Sequence, residues 1–378
     1  MVKVIRWVCR RCNKKWIYPI EKCIYCMGPI EKEIGTKTRI VGLSKVNVPN
    51  PYHPIVPYNV LLLEDEHGSR MPKKTVKDYK VGDIYEDKPS ASEHAVSIIK
   101  IKYDIYEAVK ESLELIGDVN IKGSTKILIK PTIIGKAYPY QAINTNPKML
   151  DALIKVLLDK GAKPENIVVG EQNLFSPMEA ALPRSKLGDI CKENKVKFAD
   201  LEKGGFVEKE ADDFKLKISK EVFDKDLIIN VPVMKTHMLL GISGALENMT
   251  HVVSKEDFDE LKDEPMKALQ AMVSLQKVLP KYLTVADATI GMQGNNPMHG
   301  EPGFYNMILA SKDPVALDKV FQEMNLLRRA DYVETAGKLG IGEADIEKID
   351  VVGNELRAVQ KDVKQPIGSK LFKLKKDG

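Results

Sequence analysis

The chain has 378 residues, 43% of them hydrophobic and 29% charged, the makeup of an ordinary globular protein long enough for two or three domains. No apolar run reaches the roughly 18 to 20 residues that a membrane span needs, and Met1-Val2-Lys3 leads into a charged, cysteine-bearing segment rather than a signal peptide, so a cytoplasmic protein with no membrane partner is expected. Four of the five cysteines form two tight pairs and Cys191 stands alone, a usage that suits a reducing compartment. The net charge of +5 is uneven: residues 1 to 50 carry eleven Lys and Arg against three Glu, or +8, which leaves −3 for the rest. Such a basic start suits an acidic partner: nucleic acid, a phosphorylated cofactor such as coenzyme A, or an acidic protein, with a solvated basic face as the plain alternative.

Residues 1–33 hold Cys9-Arg-Arg-Cys12, ten intervening residues, then Cys23-Ile-Tyr-Cys26. Each C-x-x-C turn aims two thiolates at one point and two such turns close a tetrahedron, so a structural zinc ribbon is predicted. Four thiolates suit iron as well, which makes a rubredoxin-like iron site the alternative metal. Residues 34–90 are read as a small antiparallel barrel with strands at Thr36 to Val48, Tyr58 to Leu63 and Val81 to Tyr85. The proline-rich stretch Pro49 to Pro54 bars a helix between the first two. Lys88 to Ser92 reads as the linker out.

The basic double C-x-x-C ribbon leading into a short barrel that closes on Val81-Gly82-Asp83-Ile84-Tyr85 resembles the domain of unknown function 35 family. That resemblance covers about the first 88 residues. It implies a zinc ribbon joined to an OB fold, and a role beside acyl-CoA enzymes such as thiolases, with coenzyme A as part of the substrate.

Residues 91–378 alternate strand and helix. Strands are predicted at Ala95 to Ile101, Lys126 to Lys130, Asn166 to Val169, Asp226 to Val233, Tyr282 to Ala286 and Met307 to Ala310. Apolar residues at helical spacing follow Ile105; Asn146-Pro147 and Asp313-Pro314 each read as N-cap and first residue of a helix. The pattern predicts a large α/β domain with a mostly parallel sheet. The C-terminal Lys370-Leu-Phe-Lys373-Leu-Lys375-Lys376 reads as a basic tail.

Neither a P-loop nor a G-x-G-x-x-G turn occurs. The informative segment runs from Asp226 to Asn248. Its strand delivers Lys235, Thr236 and His237 past its carboxyl end, where open α/β sheets bind ligands. Gly241 and Gly244 permit close backbone approach, and Ser243 can cap a helix whose free N–H groups attract an anion. Asp287 ends a second strand and opens a glycine-rich segment, Gly291 to Gly303, that reads as a loop closing over substrate and carrying His299. Lys130-Pro131 ends a third strand on the same edge. Lys235, His237 and Asp287 are therefore the candidate catalytic residues, and Lys130, Gly241, Ser243, Gly244, Asn248 and His299 the candidate substrate contacts.

Lys130-Pro131, Thr145-Asn146-Pro147, Gly161-Ala162-Lys163, Asn230 to His237, Gly241 to Asn248, Asp287 and Asp313 to Asp318 together resemble the domain of unknown function 362 family, over about residues 126–353. Many members of that family carry ferredoxin-type 4Fe-4S clusters; with only Cys191 outside the ribbon, no such cluster is expected here. A further likeness is to the nickel-dependent lactate racemases, through His-x-x-x-Gly-x-Ser-Gly at His237 to Gly244. That family continues Gly-x-Lys, whereas this chain has Ala245-Leu246-Glu247, so nickel is not expected.

Two functions emerge. The first is a metabolic enzyme or substrate-handling subunit acting on a carboxylate or acyl-thioester, with Lys235 and the Ser243-Gly244 turn holding the anion, His237 or Asp287 moving a proton, and the ribbon docking coenzyme A or a thiolase-like partner. The alternative is a nucleic-acid binder that uses the ribbon and barrel. Against it, the barrel offers Tyr52 and Tyr58 but no dense run of basic and aromatic residues for base stacking.

Overall fold

The computed structural model describes residues 3–50, 53–172, 175–261, 264–296, 299–328 and 330–367. Tyr52 and the basic tail Lys370 to Lys376 lie outside the described residues. Strands β1 (Val4–Cys9), β2 (Lys15–Trp16) and β3 (Ile30–Gly35) form the antiparallel ribbon, in the order β2-β1-β3. Its core is slight: Ile5, Trp7 and Trp16 beside the cysteines. The chain then enters β4 (Thr38–Val46), β5 (Tyr58–Glu64), β6 (Arg70–Thr75) and β7 (Ile84–Tyr85), an antiparallel sheet ordered β6-β5-β4-β7. The barrel expected there is an open sheet among the described residues. β7 is two residues long and pairs only with Thr38 and Arg39, too short a ladder to reach round to β6.

This amino-terminal module rests on the large domain through specific bonds. The Ile5 amide donates to the Tyr103 hydroxyl (2.9 Å), Lys32 pairs with Glu107, and the Thr75 hydroxyl and Val76 amide both donate to Glu355 (2.6 and 2.7 Å).

The large domain is built on one eight-stranded sheet. Its strands are β8 (Ala95–Lys100), β9 (Ile127–Lys130), β10 (Ile167–Glu171), β11 (Lys197–Asp200), then, after the separate hairpin of β12 (Phe206–Ala211) and β13 (Phe214–Ser219), β14 (Leu227–Asn230). A short hairpin of β15 (Lys235–His237) and β16 (Gly241–Ser243) precedes the long β17 (Leu283–Asn295), β18 (His299–Ser311) and the closing β19 (Asp350–Gly353). The order is β11-β10-β9-β14-β17-β18-β8-β19, and only β18 runs against the other strands. The central strands Ile-Leu-Ile-Lys and Ile-Val-Val-Gly-Glu are buried along their whole length, as strands covered by helices on both faces must be. One helix, Pro147–Asp159, starts as its sequence predicts: Asn146 accepts from the Lys148 amide (3.0 Å) and Pro147 takes the first position. The helix Pro314–Met324 is likewise capped by Asp313, which accepts from the Val315 and Ala316 amides.

The glycine-rich stretch after Asp287 departs from expectation. It continues β17 into a hairpin with β18, with Gly291 facing Gly303 and Gly294 facing Gly300. The glycines serve packing rather than loop freedom: a Cβ at Gly291 would stand 2.0 Å from the Met234 carbonyl oxygen.

Candidate active site

Cys9, Cys12, Cys23 and Cys26 bring their sulfurs within 4.8 Å of one another, with Cys9–Cys26 and Cys12–Cys23 each at 3.5 Å. A tetrahedron with metal–sulfur bonds of about 2.3 Å has edges of about 3.8 Å, so the four thiolates fit a closed structural metal site. The amides of Arg11 and Tyr25 donate to the sulfurs of Cys9 and Cys23 (3.3 and 3.4 Å), as a thiolate-rich turn requires. Gly28 lies against them, where a Cβ would stand 3.0 Å from Cys9 Sγ.

The carboxyl edge of the parallel strands carries a buried polar cluster. Lys130 Nζ, fully enclosed, donates to Glu171 Oε2 (2.8 Å), the Pro131 carbonyl (3.1 Å) and Asn248 Oδ1 (3.3 Å). Asn248 Nδ2 donates in turn to Asn230 Oδ1 (2.7 Å) and to the Lys130 and Pro131 carbonyls, while the Thr132 hydroxyl donates to its Oδ1. Burial pushes the Glu171 carboxyl up to about 7 against the pull of Lys130. Lys130 and Asn248, expected to meet substrate, thus spend their polar groups on tying β9 and β14 to the turn Ala245–Asn248.

Asp287 is likewise enclosed. Its carboxylate accepts from the Asn146 amide (2.7 Å) and from the amide and hydroxyl of Thr289 (3.0 and 2.6 Å), which fixes the start of the helix at Pro147. The anion site expected at Ser243-Gly244 is already filled. Asp318 places its two oxygens on the Ala245 and Leu246 amides (2.6 and 3.1 Å) and accepts from the Tyr332 hydroxyl (2.9 Å). Gly244 is glycine because a Cβ there would lie 2.1 Å from Asp318 Oδ1. His299 is exposed on β18 opposite Asn295, away from the cleft described next.

That cleft has a volume of about 340 Å³ and is walled by Leu216, Leu240, Phe258, Leu261, Leu269 and Met272, among others. Three polar side chains that can ionise face it: His237, Glu247 and His251. The register of the β15–β16 hairpin explains their meeting. Lys235 pairs with Ser243 and His237 with Gly241, so Lys235, His237 and Ser243 share one face, and the Ser243 hydroxyl donates to Glu247 Oε2 (2.6 Å). Gly241 (φ 84°) permits the turn and leaves space beside His237. The His237 Nδ1 atom accepts from the Leu239 and Leu240 amides (3.2 and 3.1 Å), which assigns the ring proton to Nε2.

Electrostatics ties this face together. Burial lowers Lys235, whose ammonium makes no hydrogen bond or ion pair among the described residues and feels Glu247 as its strongest opposing charge. Burial would raise the Glu247 carboxyl, but Lys235, His251, His237 and the Ser243 bond outweigh it and hold it below its ordinary value. Burial also keeps both rings neutral, lowering His237 and taking His251 down to about 3, the latter with help from Lys130. The His251 Nδ1 atom is buried without a hydrogen-bond partner among the described residues, 3.9 Å from Glu171 Oε1. Glu247 and His251 were not singled out from the sequence. The available signal was the four-residue spacing Ser243–Glu247–His251 on a turn already suspected.

Fold and site define an α/β protein with a cysteine ribbon and a hairpin-walled cleft beside the carboxyl edge of its sheet. The chain belongs to the family described as a domain of unknown function (DUF362), whose model matches residues 127–323. It is similar to the thylakoid-associated protein sll1697 of Synechocystis, with 24% identity over 259 residues that cover 65% of this chain and 79% of that one. Among solved structures, the lactate racemase apoprotein of Thermoanaerobacterium thermosaccharolyticum is 15% identical, with 60% of this chain and 57% of that one covered and a TM-score of 0.34. This chain therefore spans less than two thirds of the racemase. The Ltp2-ChsH2(DUF35) aldolase is 19% identical over 21% of this chain and 68% of that one, with a TM-score of 0.18. Superpositions this partial say nothing of activity. Among the described residues no helix is long and apolar enough to cross a membrane.

Proposed function

We propose that the protein is a metabolic enzyme or substrate-handling subunit whose cleft takes a small molecule with an apolar body and a carboxylate or acyl-thioester head. One observation carries the reading: an apolar cavity is lined on one wall by His237, Glu247 and His251, and His237 stands on a hairpin whose same face bears Lys235 behind that wall. A volume of about 340 Å³ suits a short acyl chain, at the low end of small-molecule sites. Lys235, buried on the same hairpin face and without an ion pair among the described residues, supports the anionic or carbonyl end from behind that wall. His237 presents Nε2–H to the same point, and proton transfer takes place there. The amino-terminal ribbon then docks the coenzyme A part or a partner acyl-CoA enzyme. Its basic charge and the exposed Ile17, Ile24, Tyr25 and Met27 on its knuckles support that role, with zinc as the ribbon metal.

The test is binding. Butyrate, butyryl-CoA and longer homologues should raise the melting temperature at millimolar concentration, because a ligand that binds only the folded state stabilises it by mass action. His237→Ala should abolish the rise while lowering stability by about 1 kcal/mol or less, the worth of its hydrogen bonds to the turn. No rise with any carboxylate or thioester would overturn the proposal. A rise with single-stranded DNA alone, lost steeply as salt increases, would favour the nucleic-acid alternative.

A further inference from the structure

We infer that Glu247 is the proton acceptor of this cleft, that His237 is its neutral hydrogen-bond donor, and that the pair serves removal of the proton α to the carbonyl of a bound acyl thioester. The inference rests on the cleft being the substrate site, and adds to it the division of roles and the reaction class. It begins from a tautomer. Two turn amides donate to His237 Nδ1, so the other nitrogen, Nε2, carries the hydrogen and offers no lone pair on a ring that lines the cleft. A neutral imidazole held this way is a donor for a developing oxyanion, not a base.

Glu247 has the opposite character. It is a carboxylate at the same wall, steadied through Oε2 by the Ser243 hydroxyl, and its Oε1 makes no hydrogen bond among the described residues. The groups that face it are Lys235 and His237 from the hairpin, Ser243 at the hairpin's end, and His251 from the following turn. Lys235 and the Ser243 hydroxyl hold it below its ordinary value, so that it is able to accept. A carboxylate base opposite a neutral imidazole is a recurrent arrangement for drawing a proton from carbon next to a carbonyl.

The step balances without a co-reactant. The α-carbon–hydrogen bond breaks, its proton goes to Glu247 Oε1, and the freed electron pair forms the carbon–carbon double bond. The carbonyl π pair moves onto oxygen, where His237 Nε2–H meets the charge. Return of the proton to carbon restores both partners.

Exchange of deuterium from solvent into the α-position of butyryl-CoA, followed by NMR and mass spectrometry, tests this. The wild-type protein should catalyse exchange, with a rate that does not rise through the ordinary histidine range, because the base is a carboxylate held below its ordinary value and His237 acts only as a donor. Glu247→Gln keeps an acceptor for Ser243 and should bind butyryl-CoA and melt as the wild type does, yet exchange at least ~100-fold more slowly, the usual worth of a positioned base. Exchange that survives Glu247→Gln, or a profile that rises through the ordinary histidine range, would overturn the inference. Binding of butyryl-CoA without exchange would overturn it too and leave the reading of the cleft standing; no binding by any thioester or carboxylate would overturn both.

Discussion

Lys130 and Lys235 follow neighbouring parts of one sheet edge and are equally buried, yet the fold treats them oppositely. Lys130 meets three acceptors, one of them the Glu171 carboxylate at 2.8 Å. Lys235 meets none among the described residues. A buried charge with good partners is scaffold; one without them costs stability with no structural return, and such costs collect where ligands bind. Lys130 ends a strand of the central sheet, where Glu171 and Asn248 reach it, whereas Lys235 starts the β15–β16 hairpin, whose register turns it with His237 and Ser243.

The ribbon gives the extreme of the closed kind, since its four sulfurs are matched only once the ion is counted, and it should show the largest effect. Cys12→Ser should lower bound zinc from about one per chain to none and unfold residues 3–35, because structural zinc supplies on the order of 10 kcal/mol to a module this small. The eight-stranded domain should stay folded. Metal analysis with hydrogen exchange reads both, and a metal-free wild type would remove the ribbon from the comparison.

The lysines themselves come next. Lys130→Met strands Glu171, its direct partner, and should cost about 3 to 5 kcal/mol in urea unfolding, whereas Lys235→Met breaks no hydrogen bond or ion pair among the described residues and leaves Glu247 its Ser243 hydroxyl, so it should cost about 1 kcal/mol or less. Equal losses at both positions would break the distinction. Asp318 is read through pH rather than through a loss of stability at one pH. Burial raises its carboxyl from about 4 to about 7 although the Ala245 and Leu246 amides and Tyr332 pull the other way. The folded state therefore holds a proton that the unfolded chain releases near pH 4. Stability from this group is present below that pH and is lost as the pH rises towards 7. Asp318→Asn should flatten the fall of the melting temperature over that window, and an unchanged slope would show that Asp318 is ionised throughout.

Much of this was legible in the sequence. The doubled C-x-x-C gave the ribbon, β-branched runs gave the central strands, and Asn146-Pro147 and Asp313-Pro314 gave two helix starts. The site was legible only to the segment. Residues 235–248 carry polar groups at a strand end, but which of them face open space depends on long-range partners that spacing does not encode. Asp318, 74 residues beyond Gly244, fills the helix turn that sequence assigned to a ligand. The glycines after Asp287 read as a loop because glycine is disfavoured in strands; the close approach of Met234 that makes it necessary there appears only in three dimensions. The hairpin Phe206–Ser219 and the helices Lys255–Leu261 and Pro265–Leu275, which complete the cleft, were missed although Phe214-Lys-Leu-Lys-Ile alternates plainly.

The wall that carries His237 is hung on main chain. Met234 N donates to the Asp287 carbonyl (2.9 Å), the Thr236 hydroxyl to the Gly294 carbonyl (2.7 Å) and Met238 N to the Asn296 carbonyl (3.0 Å), so most of its support asks little of side-chain identity. Met238, Leu239 and Leu240, which line the cleft, can therefore change side chain without loss of the bonds that hold the histidine in place. Gly291 is the exception: any side chain there strikes the Met234 carbonyl, so the wall tolerates changes along its cleft-facing residues but not at the strand that carries it.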